Sequence, residues 1–405
     1  MKQAVMYGGG NIGRGFIGAL FSQSGYEVTF IDVVDAVVNE LKEKRCYPLR
    51  YVSTEGHTDV TVEHVTAVNG NDTEAAAQVI ADCDIMATAV GARILPFIAP
   101  NIAAGIRKRM AQGGEPLNII ICENLMDADK VLCGLVKEKL SEEECAWMDE
   151  NVGLIEASIG RMVPVQTDAM RDGEPLRVCV EKYGFLPVDK DAFKGEIPEI
   201  KNLVPYSPFG FYIRRKLFIH NMGHATCAYL GGLKGCTLIA EAAADPDIRL
   251  LAQNAMTESA MALAREYDAP LEDILWHITD LLHRFDNTAL GDTCARVGQD
   301  PARKLAESDR LIGSALLALK HGIRPCYIAV GAAAGLVRYI NEAEGLEQSE
   351  ETAAGVLRDV SNLPADSELA GMILSMYRRI LDGADAAALR IAANEAKAAG
   401  MQDIV

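Results

Sequence analysis

The chain has 405 residues, 49% of them hydrophobic, enough to bury a large core and to build two or three domains. Its 57 acidic residues against 39 basic ones give a net charge of −18, which disfavours nucleic acid or an anionic membrane as partner. Ten cysteines without a CxxC pair predict buried, reduced thiols, and from the start, which reads directly into a strand, no signal peptide is expected. With no apolar run of about 18 residues, a cytoplasmic protein is expected, a monomer or small homo-oligomer that handles a small molecule.

The N-terminus carries the first motif. Gln3-Ala-Val-Met-Tyr7 reads as a short buried strand running into Gly8-Gly-Gly10-Asn11-Ile12-Gly13-Arg-Gly15, with a helical pattern from Ile12 to Ser24. In that context the glycines read as a dinucleotide fingerprint: Gly8 for the tight turn, Gly10 for backbone approach to a pyrophosphate, Gly13 for close helix packing. A second strand, Glu27 to Asp32, ends in an acid suited to a ribose 2′-hydroxyl and repulsive to a 2′-phosphate, so the expected cofactor is NAD. The plainer readings are a glycine-rich turn in some other α/β fold and an acid that merely caps the strand.

Two later apolar runs, Cys83 to Gly91 and Leu117 to Asn124, fit further strands of the same sheet. Ligands bind beyond the C-terminal ends of such strands, which puts Thr88, Ala89 and Val90 along the cofactor and points Glu123 and Asn124 toward the reacting end. Asn124 is thereby a candidate to hold an alkoxide, with ordinary loop hydrogen bonding as its alternative. An acidic helix-like segment follows at Ser141. Ile155 to Pro164 and Leu176 to Glu181 then alternate like strands, separated by turn-rich residues 171–175, and predict an extension of the sheet. From about Asn202 the chain is Ala- and Leu-rich with helical periodicity, as in Asn221 to Leu230, Pro246 to Tyr267 and Ser367 to Ala399; Ala386 to Ala399 reads as a surface helix. The expected fold is an α/β Rossmann domain with a sheet extension over residues 1–200, followed by a mainly α-helical domain over 201–405.

The stretch Arg215 to His224 carries the chemistry. At about 100° per residue, Asn221 lies roughly 140° and His224 roughly 80° around the helix from Lys216, so all three reach one pocket. Oxidising a secondary alcohol requires a group to accept the hydroxyl proton as hydride leaves the carbon. A lysine does so near neutral pH when burial or nearby positive charge lowers its pKa from about 10.4. Asn221 would donate to the developing alkoxide and His224 would orient a neighbouring hydroxyl. A buried helix with satisfied polar groups is the bland alternative. His220 and His224, four residues apart, raise a zinc reading, but the segment brings no third ligand except Cys227, so a metal-free site is expected. Downstream, Arg284, Arg296, Arg303, Lys304 and Arg310 place five cations in 27 positions of an acidic chain. As a cluster they suit a phosphate on the substrate; singly, each is as well explained by a salt bridge.

Three motifs taken together, Gly9-Gly-Asn-Ile-Gly-Arg-Gly-Phe-Ile-Gly18, Lys216-Leu-Phe-x-x-Asn-x-Gly-His-Ala-x-x-Ala-Tyr-Leu-Gly231 and Arg296-Val-Gly-x-x-Pro-x-Arg-Lys-Leu305, resemble the polyol-specific long-chain (mannitol) dehydrogenases over nearly the whole chain. The resemblance implies a metal-free enzyme with a lysine base matching Lys216, an oxyanion pair matching Asn124 and Asn221, and NAD-linked interconversion of mannitol 1-phosphate and fructose 6-phosphate. One departure stands out. Where the family reads Val-Asp-Arg-Ile, this chain reads Ile159-Gly160-Arg161-Met162, without the acid that passes protons between lysine and solvent; a water or Glu156 would have to substitute. Asn287-Thr288 stands where relatives have Asn-Pro. A sister dehydrogenase of another polyol, phosphorylated polyol or sugar acid, and a silent NAD-binding sensor, remain as alternative functions.

Overall fold

The computed structural model describes residues 1–364 and 366–402. The chain divides into two compact units, Met1–Gly210 and Phe211 onward. The first is built on strands β1 (Lys2–Tyr7), β2 (Tyr26–Asp32), β3 (Cys46–Ser53), β4 (Gly56–Glu63), β5 (Val65–Asn69), β6 (Ile85–Thr88), β7 (Leu117–Ile121), β8 (Val152–Glu156), β9 (Val178–Val180), β10 (Leu186–Asp189) and β11 (Leu203–Tyr206). Six of them form a parallel sheet in the order β5-β2-β1-β6-β7-β8. That is the doubly wound order, with its reversal between β1 and β6, where ligands bind beyond the strand ends.

Both faces of the sheet are covered, and for that reason its strands are continuously apolar. Along β1, Ala4 and Met6 pack into one core with Phe16, Phe30 and Tyr47, while Val5 and Tyr7 pack into the other with Ile80, Ile98 and Ile119. The acidic segment at Ser141 forms the helix Glu142–Asn151, started by a capping box between Ser141 and Glu144.

The run Ile155 to Pro164 is only partly a strand. Its first residues complete β8, the sixth strand of the main sheet, and regular pairing stops at Glu156. From there side chains tie down the backbone: Arg161 Nη1 donates to Gly15 O at 2.8 Å and its Nε donates to Tyr183 O. The extension that does form consists of the antiparallel hairpin β3-β4 with β9 laid parallel on β3, and a separate parallel pair β10-β11.

The second unit is helical. Its long helices include Met222–Lys234, Pro246–Tyr267, Leu271–Phe285, Cys326–Glu342, Glu368–Leu381 and Ala386–Gln402. Pro246–Tyr267 begins where Asp245 Oδ1 accepts from the N–H groups of Asp247 and Ile248 at 3.0 and 2.9 Å, with proline in the first turn. The periodic stretch Ser367 to Ala399 is two helices, broken at Gly383, whose φ of +87° ends the first. The second of the two is a docked helix rather than a surface one, since Leu389 and Ala393 are buried.

At the centre of this unit Glu258 is almost wholly buried, and its carboxylate accepts from the N–H groups of Cys326, Tyr327 and Ile328 at the start of one helix. Lys397 of the last helix donates to it at 2.8 Å. Six of the ten cysteines are buried and four half-buried, all of them free thiols.

Candidate active site

In the first unit the glycine turn closes on itself as the spacing predicts. Gly8 has φ +102°, and a Cβ at Gly13 would stand 1.9 Å from Gly8 O, so only glycine fits there. Asp32, at the end of β2, accepts from Gly9 N–H through Oδ2 at 2.7 Å and from Val34 N–H through Oδ1 at 2.9 Å, which fixes the carboxylate at the mouth of the turn. A Cβ at Gly10 would meet nothing within 4 Å, and beside β1 the buried Thr88 Oγ1 has no protein partner. A bare backbone, an orphaned hydroxyl and a positioned carboxylate at the end of a Rossmann strand fit a dinucleotide. Asn11 and Ile12 lie between the two outer glycines.

Glu123 has a job within the fold: its two oxygens accept from Val90 N–H at 3.0 Å and Gly91 N–H at 2.7 Å, holding the loop after β6 that contains Ala89. Asn124 follows it on the exposed loop after β7. Tyr183 faces Gly160; a Cβ there would come 3.1 Å from its ring.

In the second unit Lys216–Asn221 forms one turn of π-helix between two α-helical segments. Hydrogen bonds from residue i to i+5 bring residues five apart onto one line, so Asn221 stands closer under Lys216 than the 140° of a regular helix implies. Such turns recur at functional sites. Burial, with a smaller contribution from the Arg310 guanidinium, lowers the Lys216 pKa to about 8. Burial, then Arg284, pushes the His220 imidazole well below its usual range.

His224 is held from two sides. Its ring stacks on Phe285 at 4.9 Å between centroids, 11° from parallel, and its Nε2 lies 3.2 Å from Asp292 Oδ2, within ion-pair distance but off the hydrogen-bond line. Asp292 is half-buried by its surroundings. Against the upward push of that burial, His224 and Arg296 hold its carboxyl below the usual range.

The structure divides the cationic segment. Arg296 pairs with Asp292, Arg303 with Asp300 at 2.7 Å, and Arg310 with Asp309 at 2.7 Å. Arg284 is buried and reaches Asp280 at 3.4 Å. Lys304 is buried, and that burial together with Arg310 and Arg303 brings its pKa to about 8. Asp292, Arg310 and Phe285 are the residues that the sequence reading missed as partners of the lysine and histidine. Among the described residues no group of three or more His, Cys, Asp or Glu is placed to hold a metal, and no helix is long and apolar enough to cross a membrane.

Residues 2–202 match the family model for the mannitol dehydrogenase Rossmann domain and residues 210–373 that for the mannitol dehydrogenase C-terminal domain. The chain belongs to the mannitol dehydrogenase family. As a member of that family it is an enzyme, a polyol dehydrogenase with a Rossmann domain. Among its relatives, the Mannitol-1-phosphate 5-dehydrogenase of Bacillus licheniformis is 36% identical over 378 residues, covering 92% of this chain and 98% of the relative. That of Brevibacillus brevis is 37% identical over 382 residues, covering 93% and 98%. Solved structures share the fold at low identity. D-sorbitol dehydrogenase in substrate-free form aligns with a TM-score of 0.81 at 16% identity, over 96% of this chain and 94% of that one. The Pseudomonas fluorescens mannitol 2-dehydrogenase ternary complex with NAD and D-mannitol aligns at 0.68 and 15%, over 97% and 94%.

Proposed function

We propose that this mannitol dehydrogenase family member interconverts mannitol 1-phosphate and fructose 6-phosphate, with NAD as cofactor and Lys216 as general base. The observation that carries the substrate is the 36–37% identity, over more than nine-tenths of the chain, to relatives named Mannitol-1-phosphate 5-dehydrogenase. Asp32, fixed by Gly9 N–H, supports NAD over NADP, because a carboxylate there accepts from a ribose hydroxyl and repels a 2′-phosphate.

When bound, NAD supplies the hydride acceptor. Lys216, neutral in half its population near pH 8, takes the alcohol proton on Nζ as the carbon–oxygen bond becomes a carbonyl. Asn221, in line with it on the π turn, donates to the oxygen as negative charge grows there, and Asn124 is the second donor of that role. His224, clamped between Phe285 and Asp292, orients a neighbouring hydroxyl. Of the cationic residues, Lys304 and Arg284 are the buried ones that would face a phosphate, with Arg296 and Arg303 nearer the solvent.

A second reading, a different polyol or its phosphate, draws on Gly160, which sets the Tyr183 ring where the family's acid would project. The test is NADH oxidation by fructose 6-phosphate beside fructose and fructuronate, with chelator present throughout. Turnover of the phosphate ester alone is expected. Turnover of another substrate in its place would overturn the assignment, and NADH binding without turnover on all three would leave the chain a sensor.

A further inference from the structure

The carboxyl of Glu156 has no part in the chemistry argued above, although it stands at the C-terminal end of β8, level with Ile121, the last residue of β7. Beyond Ile121 the chain forms the loop that carries Glu123 and Asn124, and then enters the helix Ala128–Lys137. Asn124, Leu125, Met126 and Asp127 are all exposed, so packing does not fix that loop. Its ends do. At the near end Cys122 N–H donates to Thr88 O at 2.9 Å, and the Glu123 carboxylate accepts from Val90 and Gly91. At the far end Asp127 gives the helix no side-chain cap. The N–H of Ala128, one of the donors that a helix start leaves unpaired, goes instead to the carboxylate of Glu156, on a different strand. Only residues 124–127 lie between the two anchors.

The far anchor is under electrostatic load. Burial first, and Asp129 foremost among the neighbouring charges, lift the Glu156 carboxyl to about 6 against the opposing pull of the Ala128 amide. Asp127 and Asp189 add to the repulsion. Asp129 reaches it from the first turn of the helix, with its own Oδ1 buried and without a donor, and Asp189 from the end of β10. The Lys130 ammonium, also in range of Glu156, is paired with Asp127. An ionised acceptor makes the stronger bond to an amide, so gaining a proton relieves the repulsion and slackens the tie.

We infer that Glu156 is a positioning residue for the reaction: through Ala128 N–H its carboxylate holds the loop that presents Asn124 to the oxygen of the substrate. It acts through the loop and not on the reacting atoms. The inference rests on the reading of Asn124 as an oxyanion donor.

The reductive direction isolates the effect. There Lys216 works as the ammonium, so kcat should fall above about pH 8, and loss of the Glu156 charge should make it fall again below about pH 6. The measurement is kcat for NADH oxidation by fructose 6-phosphate, or by whichever of fructose and fructuronate the parent reduces, from pH 5 to 9. Glu156→Gln keeps an acceptor for Ala128 at every pH and cannot titrate; it is expected to lose the lower limb and keep the upper one. Glu156→Leu removes the acceptor and should lower kcat about tenfold or more across the range, with KM for NADH unchanged. Asn124→Ala should cost at least as much. The proposal falls if the parent has no limb near pH 6, if Glu156→Gln retains it, or if Glu156→Leu turns over as the parent does. When Asn124→Ala is impaired, any of these results strikes Glu156 alone. An unimpaired Asn124→Ala would instead remove the oxyanion role of Asn124 and the proposal with it, and a parent inert on all three substrates would end both.

Discussion

The ammonium form of Lys216 is disfavoured first by burial and second by Arg310, which brings the pKa to about 8. Alcohol oxidation should therefore rise with pH and level off above about pH 8, because only the neutral amine accepts a proton. Lys216→Ala should lower kcat by roughly 10²–10⁴ and remove that limb of the profile while leaving NADH binding intact. Arg310→Leu should move the limb to higher pH and keep it below the range of an ordinary lysine, since burial remains; an unmoved limb would dissociate Arg310 from the base. Asp292 acts one step further out. Asp292→Asn keeps the shape and removes the charge facing His224, so kcat/KM should fall about tenfold, the worth of one partly buried ion pair, with little change in unfolding midpoint. An unchanged kcat/KM would make Asp292 a partner of Arg296 alone.

At the scale of the element, the π turn Lys216–Asn221 sets the relation between base and oxyanion donor. Inserting one alanine after Leu217 should turn Lys216 by about 100° relative to Asn221 and His224. Circular dichroism should register the parent's helix content while turnover falls as far as in Lys216→Ala; retained turnover would show that the turn is incidental. The same segment marks where the sequence stops being legible. Its residue types point to the chemistry, but a 3.6-residue wheel cannot register one extra residue in a turn, because the apolar pattern of Phe218, Ile219 and Met222 suits either geometry. Pro246–Tyr267 was readable to its ends because Asp245 and Pro246 announce its start and periodicity its length. The hairpin β3-β4 was not, because β4 is mostly exposed and its alternation is faint. Asp292 and Arg310 lie dozens of residues from the groups they govern, and only the folded chain brings a carboxylate to His224 and a guanidinium into range of Lys216.

In the molecule as a whole, a parallel sheet in doubly wound order and a helical unit with its own core accompany family matches running from residue 2 to residue 373. The rest of the described chain, through Gln402, is more than an appendage, because the last helix delivers Lys397 to Glu258. Burial raises the Glu258 pKa, and Lys397 and the three N–H groups only partly counter it. Without Lys397 the carboxyl would hold its proton to still higher pH, and the folded chain would bind a proton that the unfolded chain releases. Stability would then decline as pH climbs from the ordinary carboxylate range through the raised pKa, since protons are lost more readily from the unfolded chain. Urea midpoints of Lys397→Met measured from pH 5 to 8 should show this decline more steeply than the parent; parallel curves would refute it. Trimming the chain just before residue 397 would thus leave a protein that prefers acid more strongly than the parent does, with the alteration felt three helices earlier, at the start of Cys326–Glu342.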